Sequence, residues 1–343
     1  MDLLKNVALA EHSTMHLGGR ATYAVEIYNR NDLLEAVTWA AKNKQAVLII
    51  GDGSNIVWRD EGFNGLLLIN KVLGYDGFAE DEENYYLTLG AGENWDSAVE
   101  RVCQDGLSGM ECLSLIPGTV GATPVQNVGA YGQEISQTLV SLEAYDNNSG
   151  ELITIAASDC GFGYRTSRFK TIDRGRFLIM AVTLHLLRLP MQPPFYGALE
   201  QYLQDKNISD FSPINIRKAV CAIRRAKLPD PAVVANNGSF FANPIIDNDK
   251  LQELQVYYPE IPHWPTAENG QVKIPAAWLI EQTGFKDYHD EQTGMATWPS
   301  QPLVLINESA RSTTDLLKFK QKIVTAIKQK FDIELVQEPE ILP

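Results

Sequence analysis

The chain of 343 residues is short of basic side chains: 29 Lys and Arg stand against 43 Asp and Glu, a formal net charge of −14. A general nucleic-acid binder is excluded, because neutralising a phosphate backbone needs a basic surface. Long apolar runs are missing too. Residues 177–187 carry His185 and read as a strand, well short of the roughly 20 residues that cross a bilayer, so no membrane role is expected. Asp2, Lys5 and Glu11 interrupt any apolar stretch near the start, which argues against a secretory signal and for a cytoplasmic protein. The four cysteines (Cys103, Cys112, Cys160, Cys221) contain no C-x-x-C pair and no zinc spacing, and read as reduced thiols in or near the core. His12 and His16 stand four apart, but Ser13, Thr14 and Gly18-Gly19 put them in a loop, so no metal is expected.

What is present is an ordinary globular composition, 45% hydrophobic and 21% charged. At roughly 150 residues per domain the length favours two or three domains. Residues 23–28 read as a strand. Asp32 with Glu35 reads as a capping box before a helix whose face is Leu33, Leu34, Val37, Ala40 and Ala41. Strands follow at 46–50 and 65–69, a βαβ pattern. Residues 85–89, 139–145, 151–155 and 177–187 read as further strands, with a hairpin at Asp146-Asn147-Asn148-Ser149-Gly150 and a short helix through Trp95, Ala98, Val99 and Val102. Helices are expected around 217–225, at 276–282 and from Ser312, where Leu316, Leu317, Ile323, Val324 and Ile327 form the apolar face. A last strand is expected at 333–336.

Two segments are built to bring backbone close to a ligand. Gly51-Asp52-Gly53-Ser54-Asn55 follows an apolar strand, but Ile56 stands where a dinucleotide fingerprint has its third glycine, and no Gly-Lys-Ser/Thr follows. Residues 117–132 hold four glycines, two prolines and no charge, a poor solvated loop but a suitable bed for a flat or phosphorylated ligand. Cations cluster at Arg165, Arg168, Lys170, Arg174 and Arg176, and again at Arg217, Lys218, Arg224, Arg225 and Lys227. In an acidic chain such clusters suit a diphosphate, although a solvated face is their ordinary use.

Taken together, the chain resembles the UDP-N-acetylenolpyruvoylglucosamine reductases of bacterial peptidoglycan synthesis. The resemblance rests on His16-Leu17-Gly18-Gly19, Gly51-x-Gly53-Ser54-Asn55, Pro117–Ala122 with Gln126-Asn127-x-Gly129-Ala130-Tyr131-Gly132, and Gly163-Tyr164-Arg165. It continues through Lys227-Leu228-Pro229-Asp230-Pro231, Gly238-Ser239-Phe240-Phe241-x-Asn243-Pro244 and Glu338-Pro339-Glu340, in family order over nearly the whole chain. Tyr196-Gly197 looks like the subgroup with a loop inserted over the substrate.

The resemblance implies an α+β fold: an FAD-binding fold of the vanillyl-alcohol-oxidase (PCMH) type in two subdomains, plus a third α+β substrate-binding domain. The expected divisions are 1–70 (completed by 332–343), 71–215 and 216–331. It implies noncovalent FAD, NADPH as reductant, and UDP-N-acetylglucosamine enolpyruvate as substrate. The cofactor is expected on Gly51, Gly53, Ser54, Asn55, Pro117, Gly118, Thr119, Gly121, Ala122, Gln126, Asn127, Gly129, Tyr131, Gly132 and Arg165. The substrate is expected on Tyr196, Arg224, Lys227, Ser239 and Asn243. Relatives often carry a basic residue just past the terminal acidic motif, where this chain has Ile341-Leu342.

Chemistry assigns the catalytic roles. Hydride addition at C3 of the enolpyruvyl group leaves an enolate that must be stabilised and then protonated at C2. Arg165 offers a fork that matches a carboxylate, Glu340 a carboxyl group able to share the charge as an acid, and Ser239 the proton. No G-x-S-x-G elbow surrounds Ser239, which disfavours a hydrolase. An oxidase of the same fold and a non-catalytic nucleotide-sugar module are the competing readings. A monomer is expected, since no strongly apolar surface stripe is apparent.

Overall fold

The computed structural model describes residues 1–266 and 268–343. The chain divides into two compact units. The first comprises residues 1–7, 21–53 and 63–226; the second comprises 8–20, 54–62 and 227–343.

In the first unit, Arg20–Ile27 and Ala46–Ile50 both pair in parallel with Phe63–Asn70. The crossover helix Arg30–Lys42 buries Leu33, Ala36, Val37 and Ala40, packed with Val25, Leu66 and Leu68. The expected capping box is corrected here. Asn29 caps the helix, its side chain accepting from the amides of Asn31 and Asp32 at 2.9 and 3.0 Å. Asp32 instead turns back to accept from the Tyr28 amide at 2.9 Å. The buried face is Leu33, Ala36, Val37 and Ala40, while Leu34 and Ala41, expected on it, are exposed.

A five-stranded antiparallel sheet follows, in the order Glu151–Ala156, Leu139–Asp146, Phe177–Leu187, Asn84–Gly90, Tyr75–Ala79. Its central strand explains its own apolar run. Leu178 and Met180 belong to the core under the first sheet, while Phe177, Ile179, Val182 and Leu184 belong to a second core. A strand covered on both faces has no polar side to show. The helix Trp95–Gln104 lays Trp95, Ala98, Val99 and Val102 into that second core, and all four cysteines are buried and free.

In the second unit, Asn236–Ser239, Gln301–Asn307, Met295–Trp298 and His289–Asp290 form a sheet. The long helix Thr313–Phe331 starts at the Ser312 cap and buries Leu316, Phe319, Ile323, Ile327 and Phe331. Leu317 and Val324 lie at the margin of this face, half-buried. The strand expected at 333–336 is also corrected. Ile333 and Leu335 are buried, but that stretch forms no strand; the terminal strand is Glu340–Leu342, in parallel register with Ile56–Trp58. Core burial of alternate residues needs only extended backbone. The ladder requires a partner, and among the described residues Ile56–Trp58 pairs only with the chain from Glu340 onward.

Candidate active site

The first unit gathers most of the expected cofactor residues. A Cβ at Gly51 would lie 2.0 Å from the Thr119 hydroxyl, so the loop after Ala46–Ile50 and the 117–132 segment meet at a point where only glycine fits. The segment is pinned along its length. Trp95 N donates to Gly118 O at 3.0 Å, Val120 N to Glu93 O at 2.9 Å, and Gly121 N to Ala91 O at 2.9 Å. Gly118, at φ 120°, makes the turn that this pinning requires. An uncharged, glycine-bearing segment fixed at the backbone fits the flat ring of FAD, which needs close backbone approach and no bulky side chains.

Arg165 belongs to the same assembly. It sits at the tip of a tight turn in which Gly163 and Thr166 exchange backbone hydrogen bonds at 3.1 and 3.2 Å. Its φ is 55°, a conformation that L side chains adopt only where surroundings enforce it. Arg165 Nη2 donates to Gly129 O at 2.7 Å, and its guanidinium lies 5.3 Å from the Tyr164 ring centroid. Asn127 ties the two segments together: Nδ2 donates to Gly163 O at 3.1 Å and to Glu134 at 2.7 Å, while Oδ1 accepts from Ser136 N at 3.1 Å. The Asn127 amide is therefore engaged inside the protein, and its contribution to the bed is to shape it.

The two basic clusters are used differently from their sequence pattern. Arg176 grips Asp146 through two bonds of 2.7 and 2.9 Å, and Arg168 pairs with Asp173 at 2.6 Å. These cations brace the chain around Arg165. On the helix Pro213–Lys227 the sevenfold pairs split: Lys218 and Arg225 are exposed, whereas Arg217 is buried and Arg224 half-buried. Arg224 Nε donates to Leu115 O at 3.3 Å, and burial lowers the pKa of its guanidinium. Tyr196 is about half exposed, 49%, and meets the Tyr131 ring edge-on at 5.9 Å. Its neighbour Phe195 anchors the segment against Phe211 at 4.8 Å.

The second unit holds Ser54, Asn55, Lys227, Ser239, Asn243 and Glu340. Ser239 ends the strand Asn236–Ser239 beyond a register shift, next to Gly238 at φ 68°. The buried pair Phe240 and Phe241 anchors the backbone immediately after it. Phe240 N donates to Leu303 O at 2.8 Å, and Phe240 O accepts from Glu338 N at 2.9 Å. Phe241 bridges Gln337. The serine strand thus lies directly against the Glu338-Pro339-Glu340 segment, and Glu340 N reaches on to Asn55 O at 3.0 Å. Three motifs 55, 239 and 340 residues into the chain converge here. Asn243 Oδ1 accepts from Ala276 N at 2.9 Å, at the start of the helix Ala276–Gln282. Lys227 is exposed.

One organising residue escaped the sequence reading. Asn237, only 5% exposed, sends Nδ2 towards Thr14 Oγ1, Ser54 O and Ile56 O at 3.2, 3.3 and 3.1 Å. Its position two residues before the serine was the available signal. An open cavity of about 530 Å³ in this unit is lined by His16, Val234, Trp298, Asn307 and Glu308 among others, and by none of the expected site residues.

Comparison with known proteins decides the family. Residues 21–156 match the FAD binding domain, and residues 230–342 match the UDP-N-acetylenolpyruvoylglucosamine reductase C-terminal domain. A UDP-N-acetylenolpyruvoylglucosamine reductase of Amoebophilus asiaticus is 38% identical over 341 residues, covering 99% of each chain. The chain belongs to the UDP-N-acetylenolpyruvoylglucosamine reductase family. A second reductase, from Ralstonia nicotianae, is 38% identical over 97% of each chain. The crystal structure of the Thermus caldophilus reductase matches with a TM-score of 0.67 at 19% identity, over 100% of this chain and 98% of that one, and so shares the fold. The family membership makes the chain an FAD-dependent oxidoreductase of peptidoglycan precursor synthesis, with the α+β fold read from its sequence. Among the described residues no helix is long and apolar enough to cross a membrane, and no cluster of metal-ligating side chains is found.

Proposed function

We propose that the chain reduces UDP-N-acetylglucosamine enolpyruvate in the cytoplasm, as a monomer, with Arg165, Glu340 and Ser239 as its catalytic residues. When bound, FAD supplies the hydride that reaches C3, having taken it from NADPH. The bed of Gly51, Gly53 and residues 117–132, with Ser54 and Asn55, holds that cofactor. Within that bed the backbone of Gly118, Val120 and Gly121 is fixed by bonds to Trp95, Glu93 and Ala91.

Arg165 binds the substrate carboxylate and stabilises the enolate as its charge grows. Preset electrostatic contacts of this type are worth about 3–4 kcal/mol each at the transition state. Its guanidinium is prepared for this by the Gly129 carbonyl and the Tyr164 ring, which fix the fork before substrate arrives. Glu340 shares the enolate charge as a hydrogen-bonding acid. Ser239 gives its hydroxyl proton to C2, a transfer that a basic carbanion makes feasible for an ordinary alcohol. Tyr196, Lys227 and Asn243 take the diphosphate and sugar, Tyr196 as part of the substrate loop. Arg224 serves chiefly by shaping the loop at Leu115.

The observation that carries this reading is the lateral contact of the Ser239 strand with the Glu338–Glu340 segment, made through Phe240 and Phe241. It holds the proposed proton donor and the proposed acid in fixed register. The test is the visible spectrum of the purified protein. NADPH alone should bleach the flavin band, and adding the enolpyruvyl nucleotide-sugar should restore it without oxygen. Bleaching that only oxygen reverses would favour the oxidase reading.

A further inference from the structure

Asp96 plays no part in the chemistry above, yet it stands at a junction. It opens the helix Trp95–Gln104, whose N-terminal neighbourhood is also the scaffold for residues 113–121. Trp95 Nε1 donates to Leu113 O at 2.9 Å, in addition to the backbone bonds from Trp95, Val120 and Gly121. Asp96 Oδ1 accepts the amide proton of Leu115. The same carboxylate forms a two-point pair with Arg217, at 2.5 and 3.0 Å. The Arg217 side chain is 7% exposed and that of Asp96 25%.

Leu115 has φ 58°, a left-handed conformation that a side chain with a Cβ disfavours. It lies two residues before Pro117, where the cofactor bed begins. Its amide is held by Asp96, and its carbonyl accepts from Arg224 at 3.3 Å. Two arginines of one helix therefore grip this residue, one through the carboxylate and one directly.

We infer that Asp96 is a positioning residue for the flavin. Braced by Arg217, its carboxylate holds Leu115 in the left-handed turn that aims residues 117–123 before cofactor binds. This inference rests on the assignment of that segment to FAD. A buried ion pair that merely joined two helices would need neither the Leu115 amide nor its unusual φ. Burial opposes the charged form of Asp96, but the bonds from Arg217 and the Leu115 amide outweigh it and hold the carboxyl below the usual range.

The test uses FAD titration of apo-protein, with thermal unfolding of the same samples. Asp96→Asn keeps an oxygen for the Leu115 amide but loses the ion pair, so it should unfold earlier yet bind FAD within about threefold of wild type. Asp96→Ala should bind FAD at least about tenfold more weakly. Asp96→Ala combined with Leu115→Gly should recover most of that loss, because glycine enters the left-handed turn unaided. Wild-type FAD affinity in Asp96→Ala, or no recovery in the double variant, would overturn the inference. Should Asp96→Ala not fold, amide exchange in wild-type apo-protein decides: slow exchange at Leu115 supports a preset turn, and exchange at open-loop rates contradicts it. Amide exchange also separates the two levels of the claim. If FAD fails to protect residues 117–123 in the wild type, the assignment of the bed itself fails; if it protects them while Asp96→Ala binds normally, only the role of Asp96 fails.

Discussion

The backbone amide of Glu340 donates to the carbonyl of Asn55 across 3.0 Å, joining a residue near the end of the chain to the Gly51–Asn55 motif. The parallel register of Glu340–Leu342 with Ile56–Trp58 extends that contact, and Leu342 is buried behind it. Glu340 is thus held at its backbone, and Glu340→Gln keeps the length of its side chain and a hydrogen-bonding end. Glu340→Gln should keep the wild-type unfolding temperature and normal flavin reduction by NADPH. Turnover should fall by about tenfold or more, since an amide bonds but supplies no acidic proton. Near-normal turnover would reduce Glu340 to a hydrogen-bonding role.

Arg165→Met separates cofactor binding from substrate chemistry. The guanidinium bonds to Gly129 O, so some loosening of the flavin bed is expected. If Arg165 serves the enolate, reoxidation of reduced flavin by substrate should slow by about 10² or more, while FAD is largely retained. Stopped-flow absorbance measures both. A colourless protein would instead make Arg165 mainly a cofactor ligand.

Asn237→Ala removes the donor that meets Thr14 Oγ1 and the carbonyls of Ser54 and Ile56. Stability should drop by about 1–3 kcal/mol, the cost of leaving buried acceptors unmet. Urea unfolding monitored by tryptophan fluorescence would register it. Unchanged stability would mean that water replaces the amide without loss.

Asp146 gives a pH signature. Its bond with Arg176, aided by the Asn148 amide, lowers its pKa from 3.8 to about 2. A lowered folded-state value means that the contribution is complete above the unfolded value and disappears as pH falls through the folded one. Asp146→Asn should therefore be less stable than wild type near neutrality. The difference should shrink between pH 3.8 and about 2. A difference that stayed constant to low pH would show that packing, not charge, sets the effect.

Much of this was legible before the fold was known. The strand Phe177–Leu187 was readable from its continuous apolar run, and the helix Trp95–Gln104 from its apolar spacing. Family membership was readable because the motifs around Arg165, Ser239 and Glu340 occur in family order. What local pattern missed was settled by distant partners. The terminal strand formed at Glu340–Leu342 rather than 333–336 because Ile56–Trp58 supplies the ladder there. Arg217 was read in a basic cluster suited to a diphosphate, yet Asp96, on another helix, draws it inside. Leu34 was read with the apolar face of its helix, yet it lies one position off the buried stripe of Leu33, Ala36, Val37 and Ala40. For the terminal strand and for Arg217 the deciding partner lies outside the window in which periodicity is read.

The proposed proton transfer from Ser239 is tested most directly by stopped-flow absorbance of Ser239→Ala, first with NADPH and then with the enolpyruvyl nucleotide-sugar. Bleaching of the flavin by NADPH should proceed at close to the wild-type rate, and steady-state turnover should fall by about 10²–10⁴. Turnover equal to that of the wild type would contradict the assignment.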